Sequence, residues 1–122
     1  MAGSPAGPPM QTAEFPALAL LLPEATQGAH MGNPDFRVGG RIFATLWVDE
    51  DRAVLKLTPD EQEVMVESEP DLFDPVPGAW GRRGWTNLHL PDADEATVRS
   101  ALLAAWCNTA PVRLVTALRA AS

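Results

Sequence analysis

The sequence predicts one α+β domain, a two-layer sandwich of helices on a five-stranded antiparallel sheet in the order α-βββ-α-ββ-α. Three observations carry this. Short runs of β-type residues are joined by tight-turn signals, above all Gly39-Gly40, where a two-residue hairpin needs positive φ. Segments with helix-start chemistry separate those runs, clearest at Thr58-Pro59-Asp60-Glu61. A long apolar stripe at helical spacing, Val98, Ala101, Leu102, Ala105 and Trp106, closes the order. Hairpin-linked strands interrupted by helices belong to the α+β class rather than to a parallel sheet.

Taken in order, residues 1–11 are Gly, Pro, Ala and Ser with little else, and are expected as a disordered tail before a single domain over 12–122. Thr12 can cap a helix running to about Leu22, with Pro16 tolerated near its first turn and Pro23 stopping it. Residues 24–33, with Gly28, His30 and Gly32, read as a loop. Asp35–Val38 and Arg41–Val48 flank the glycine pair, and a turn at Asp49-Glu50-Asp51-Arg52 leads to a third strand, Ala53–Leu57. In the next helix Thr58 is the N-cap, Pro59 fits N1 and Glu61 at N3 completes a capping box, and Pro70 ends it. Leu72–Val76 is a short strand that Pro75 and Pro77 confine to an edge. Gly78–Gly84 is a turn and Trp85–Leu90 the last strand. Asp92 caps the helix carrying the stripe, Pro111 breaks it near Asn108–Ala110, and Val112–Ala120 forms a last helical piece.

At 122 residues the chain buries enough surface to fold without staples, and its single Cys107 excludes an internal disulfide and a cysteine-based zinc cluster. A lone thiol fits a reducing cytoplasm. The apolar run Ala17–Leu22 is far too short to span a bilayer, and no basic residue precedes Arg37 to mark a secretory signal. No membrane association is expected. The net charge of −7 weighs against a polyanionic partner. Its distribution softens that: Asp60, Glu61, Glu63, Glu67, Glu69, Asp71 and Asp74 have no basic residue among them, while the rest of the chain balances nine acids with nine bases. The plainer reading of the acidic run is a solvated, solubilising helix face.

No phosphate loop, Walker sequence or zinc-protease sequence appears, and no catalytic residue, cofactor or metal is expected. Cys107 reads as a small buried hydrophobe. His89 could join Asp92 and Asp94 as one arm of a metal site, but a sheet histidine bonded to a neighbour is the simpler reading. What remains is one face of the sheet. If Ile42, Ala44, Leu46, Val48, Ala53, Leu55, Leu57, Leu88 and Leu90 face the core, strict alternation turns Phe43, Thr45, Trp47, Val54, Lys56, Trp85, Asn87 and His89 to the other side. Arg37, Arg82 and Arg83 would lie at its rim. The candidate binding residues are therefore Arg37, Phe43, Trp47, Lys56, Arg82, Arg83, Trp85, Asn87 and His89. Aromatic rings there could stack on bases or another planar ligand, and the bases of the rim could meet phosphates. The same patch also suits a protein partner or a homodimer. Alternatively, a loop or the C-terminal segment folds over it as a second small core, and Arg82 and Arg83 merely solvate a turn.

The order of several short motifs resembles the MmcQ/YjbR-like family of small bacterial proteins. They are Leu22-Pro23-Glu24, His30, Phe36-Arg37-Val38-Gly39-Gly40-Arg41-Ile42-Phe43-Ala44, Val54-Leu55-Lys56-Leu57 and Gly84-Trp85-Thr86-Asn87-Leu88-His89-Leu90, within residues 15–118. The resemblance implies a fold like that of type III secretion chaperones. It also implies DNA as a partner, with no catalytic activity or cofactor. The chain departs from the family in having no tyrosine, with Pro111-Val112 where members often carry an aromatic residue, and in its acidity with one lysine.

Overall fold

The computed structural model describes residues 10–121. Residues 1–9 of the expected tail lie outside the described residues; Met10 packs into the domain, and Gln11 is exposed with its N–H bonded to Glu14 Oε1. The Met10 side chain is buried and its N–H donates to the carbonyl of Ala93 at 2.9 Å.

A 3-10 turn at Thr12–Glu14 leads into helix α1 (Phe15–Ala19). Then follow strands β1 (Thr26–His30), β2 (Asn33–Val38), β3 (Arg41–Trp47) and β4 (Arg52–Lys56), helix α2 (Pro59–Ser68), strand β5 (Phe73–Pro75), the single-turn helix α3 (Ala79–Arg82), strand β6 (Trp85–His89), and helices α4 (Glu95–Thr109) and α5 (Val112–Ala121). The sheet is antiparallel, as expected, but it has six strands in the order β1-β2-β3-β4-β6-β5 rather than five. The added strand is β1, from the segment read as a loop. Its turn places Met31 and Gly32 both at positive φ, the two-residue hairpin geometry, although a methionine there is unusual. The expected first helix is also shorter, ending at Ala19 instead of Leu22.

Capping chemistry sets the helix starts. At α2 both halves of the box form: Glu61 N–H donates to Thr58 Oγ1 at 3.0 Å, and Thr58 N–H donates to Glu61 Oε1 at 2.9 Å. For α4 the cap is Asp94, which accepts from Thr97 N–H at 2.8 Å, rather than Asp92. Asp92 instead closes the 3-10 turn Leu90–Asp92. The bonds from Thr97 hold the Asp94 carboxyl below the usual aspartate range.

The core lies between one sheet face and α1 and α4. The stripe Val98, Ala101, Leu102, Ala105 and Trp106 is buried as its spacing predicts, against Leu46, Ala53, Leu55, Leu57 and Leu88 from the sheet. Trp106 satisfies its indole N–H on the carbonyl of Pro23 at 3.0 Å. Phe15 meets Phe36 edge-on with ring centroids 5.6 Å apart. Cys107 is half-buried at the margin of this core.

Strand β3 breaks strict alternation. Phe36 pairs with Ala44 but Arg37 pairs with Ile42, which leaves Phe43 as the extra residue of a β-bulge. The bulge changes the strand's phase. Phe43 turns into the core with no exposed surface, and Ile42 swings to the opposite face beside Thr45 and Trp47. The placement of Phe43 on the open face, and of Ile42 in the core, is thereby corrected. Val48 also leaves the expected core; it is half exposed and begins a 3-10 turn.

The candidate binding face

The sheet face away from α4 carries a groove of about 750 Å³. Cross-strand pairing lays out its residues in rows. One row runs Trp47, Arg52, His89 across β3, β4 and β6; the next runs Thr45, Val54, Asn87, Asp74 across β3, β4, β6 and β5; the third pairs Lys56 with Trp85. Partners in register share a face, so these side chains converge. His30 from β1, Ile42 from β3, Glu50 from the turn after it, and Val76, Pro77 and Trp80 around α3 complete the lining. Neither α4 nor α5 lines it, so it is not a second core beneath the C-terminal segment.

Two groups of contacts organise the groove. The first is a chain of polar bonds. Arg52 Nε donates to Glu50 Oε1 at 2.8 Å and its Nη1 to Asn87 Oδ1 at 2.6 Å. Asn87 Nδ2 donates to Asp74 Oδ1 at 2.8 Å, and His89 Nε2 lies 2.5 Å from Asp74 Oδ2. Partial burial works against the Asp74 charge, but the Asn87 amide, the His89 imidazole and the Arg52 charge outweigh it and hold the carboxyl below its ordinary value. His89 is therefore engaged by Asp74, not by Asp92 or Asp94. Among the described residues, no cluster of three His, Cys, Asp or Glu could hold a metal.

The second group is aromatic. Arg52 lies over the Trp47 ring at 5.0 Å, Lys56 over Trp85 at 5.4 Å, and Arg83 over Trp80 at 5.7 Å. Trp80 and Trp85 meet edge-on at 6.0 Å. Trp80 is 58% exposed, unusual for so large a ring.

The Gly81-Arg82-Arg83-Gly84 segment explains how Trp80 and Trp85 reach one another. A Cβ on Gly81 would sit 1.7 Å from the Val76 carbonyl oxygen, and one on Gly84, at φ +109°, 1.9 Å from that of Leu57. Only glycine lets the chain pass so close to its neighbours here. Gln62 ties the segment down from α2, its Nε2 lying within donating distance of the carbonyls of Gly81 and Trp85 and of Thr86 Oγ1, at 3.0–3.1 Å.

Of the expected residues, Trp47, Trp85, Asn87 and His89 line the groove. Lys56 and Arg83 flank it through the rings they cover, and Arg82 is exposed on α3. Arg37 is spent on Asp35, a fully buried carboxylate that it grips through Nε at 2.8 Å and Nη2 at 3.0 Å. Phe43 is in the core. Sequence reasoning missed Arg52, whose alternation with Val54 and Lys56 places it on this face once the strand starts one residue earlier. It also missed Trp80 and Asp74. Asp74 alternates with Leu72 and Val76 in an edge segment too short for a pattern, and Trp80 sat in an apparent turn.

The sequence profile of the YjbR family matches residues 20–108. Among solved structures, Deinococcus radiodurans protein DR2400, whose domain is described as DUF419, superposes with a TM-score of 0.71 over 84% of this chain and 80% of that one. The two share 17% sequence identity, so the likeness concerns the fold. No curated protein matches. The profile match runs from the end of α1 through the whole sheet and nearly all of α4, and by it the chain belongs to the YjbR family.

Proposed function

We propose that the protein binds single-stranded nucleic acid on the open face of its sheet and performs no catalysis. The observation that carries this reading is the set of three tryptophans around one groove, each with a basic side chain over its ring. Bases stack on such rings whatever their identity, and neighbouring cations meet the phosphates. DNA is also the partner that the family resemblance implies. A duplex hides its base faces, whereas this groove offers rings and few cations, so a single strand is the better fit. Asp74 and His89 serve the groove by fixing Asn87 and, through it, Arg52.

The exposed ring of Trp80 favours a second reading, a protein partner or a second copy of the chain on the same face. Fluorescence anisotropy of a labelled single-stranded oligonucleotide at about 50 mM salt separates the two. Saturable binding, weakened in Trp85→Ala and weaker for a duplex of the same sequence, supports the proposal. No binding of the oligonucleotide, together with a concentration-dependent dimer in sedimentation that Trp80→Ala abolishes, would replace it with self-association.

A further inference from the structure

Resting on that reading, we infer that the groove has two separate stacking stations and takes an extended strand of at least three nucleotides, its end bases on Trp47 and Trp85. The argument is one of register. Trp47 pairs with Arg52 and Trp85 with Lys56, at opposite ends of β4 and on opposite sides of it. Four residues along a strand and two strand spacings across it put the two tryptophan positions about 13 Å apart lengthwise and about 10 Å crosswise, roughly 16 Å on the diagonal. Nucleotides in a stacked strand advance only about 3.4 Å each. The two rings therefore cannot hold neighbouring bases; a fully stacked strand would place about four bases between them, and an extended one fewer, with at least one nucleotide bridging.

What lies between the stations suits a bridge. Val54, at the centre of the face, presents an apolar floor flanked by Thr45 and by Asn87, whose amide already bonds Arg52 and Asp74. No ring and no cation stands in that row, so a bridging nucleotide gains neither a stacking partner nor a phosphate contact there. Arg52 stands at the Trp47 end and Lys56 at the Trp85 end, so each station pairs one ring with one cation. A base with its phosphate is the unit that such a station takes.

The test is displacement of a labelled five-residue oligothymidylate by unlabelled oligothymidylates of one, two, three and five nucleotides. Affinity should step up at least tenfold between two and three nucleotides, the gain from reaching a second stacking ring. Trp47→Ala and Trp85→Ala should each remove the step, while Trp47→Phe, which keeps a ring, should retain it and guards against a variant that merely misfolds. A smooth rise with length, or a step that survives Trp47→Ala, overturns the two-station site while leaving single-strand binding in place. If the labelled pentamer itself fails to bind, the single-strand reading falls, and the two-station site with it.

Discussion

Two residues in the turn before β6 have a steric role that their surroundings make unusually strict. With 1.9 Å between a hypothetical Gly84 Cβ and the Leu57 carbonyl oxygen, Gly84→Ala must move backbone on both sides and break the contact in which Leu57 N–H donates to the Gly84 carbonyl at 3.3 Å. A loss of more than about 4 kcal/mol is expected in chemical denaturation. Gly40→Ala is the control: its φ is +79° but a Cβ there meets open space, so it carries only the conformational cost of about 1 kcal/mol. Equal losses for the two would show that positive φ, not crowding, makes Gly84 necessary. Asp74 has an electrostatic role instead. Its carboxyl is held below the ordinary aspartate value, so its ionised form adds stability above about pH 4, and that contribution fades as pH falls through the lower folded-state value. Asp74→Asn should melt lower than the parent at pH 7, with the gap closing in acid. The depressed Asp94 carboxyl is common to both proteins and cancels from the comparison. A gap that stays constant down to about pH 3 would mean that the charge of Asp74 contributes nothing.

At the level of elements, the bulge in β3 decides which aromatic is core and which is surface. Phe43→Ala empties a fully buried site and should cost about 3–5 kcal/mol, whereas Ile42→Ala, on the groove side and half-buried, should cost about 1 kcal/mol. Urea denaturation with unchanged slope measures both, and the reverse ranking would restore strict alternation. This strand also shows what a sequence can and cannot disclose. The alternation of Ala44, Thr45, Leu46 and Trp47 was legible and placed Trp47 correctly. The bulge was not, because Ile42 and Phe43 are both apolar and either could face inward. Strand β1 was illegible for a different reason. Thr26-Gln27-Gly28-Ala29-His30 is a largely exposed edge with one ladder partner, so its sequence needs no apolar rhythm and has none. The stripe of α4, by contrast, must fill the core at every turn and was readable residue by residue. Of the candidate face, the strand-borne residues could be found by period. Trp80 could not, because a one-turn helix set by Gly81 and Gly84 has no period to read.

Across the whole molecule, the charge of −7 is unevenly placed with respect to the groove. Asp60, Glu63, Glu67, Glu69 and Asp71 are exposed on α2 and the turn after it, and α2 packs by β5 at the sheet's edge rather than on the open face. Beside the groove stand Arg52, Lys56 and Arg83, with Glu50 and Asp74 partly offsetting Arg52. The three cations over the rings can therefore neutralise three phosphates there. For a single strand each contributes about −0.7 to the slope of log affinity against log salt, so the slope should be no steeper than about −2. Raising salt from about 50 to about 200 mM should then weaken oligonucleotide binding by about 10- to 20-fold. The remaining affinity is stacking, which salt barely touches. Arg83→Ala should flatten the slope by about 0.7 and leave Trp85 stacking intact. A slope beyond about −4 would mean that the strand follows basic residues elsewhere on the surface, and a slope near zero would mean that the cations over the three rings serve the rings alone.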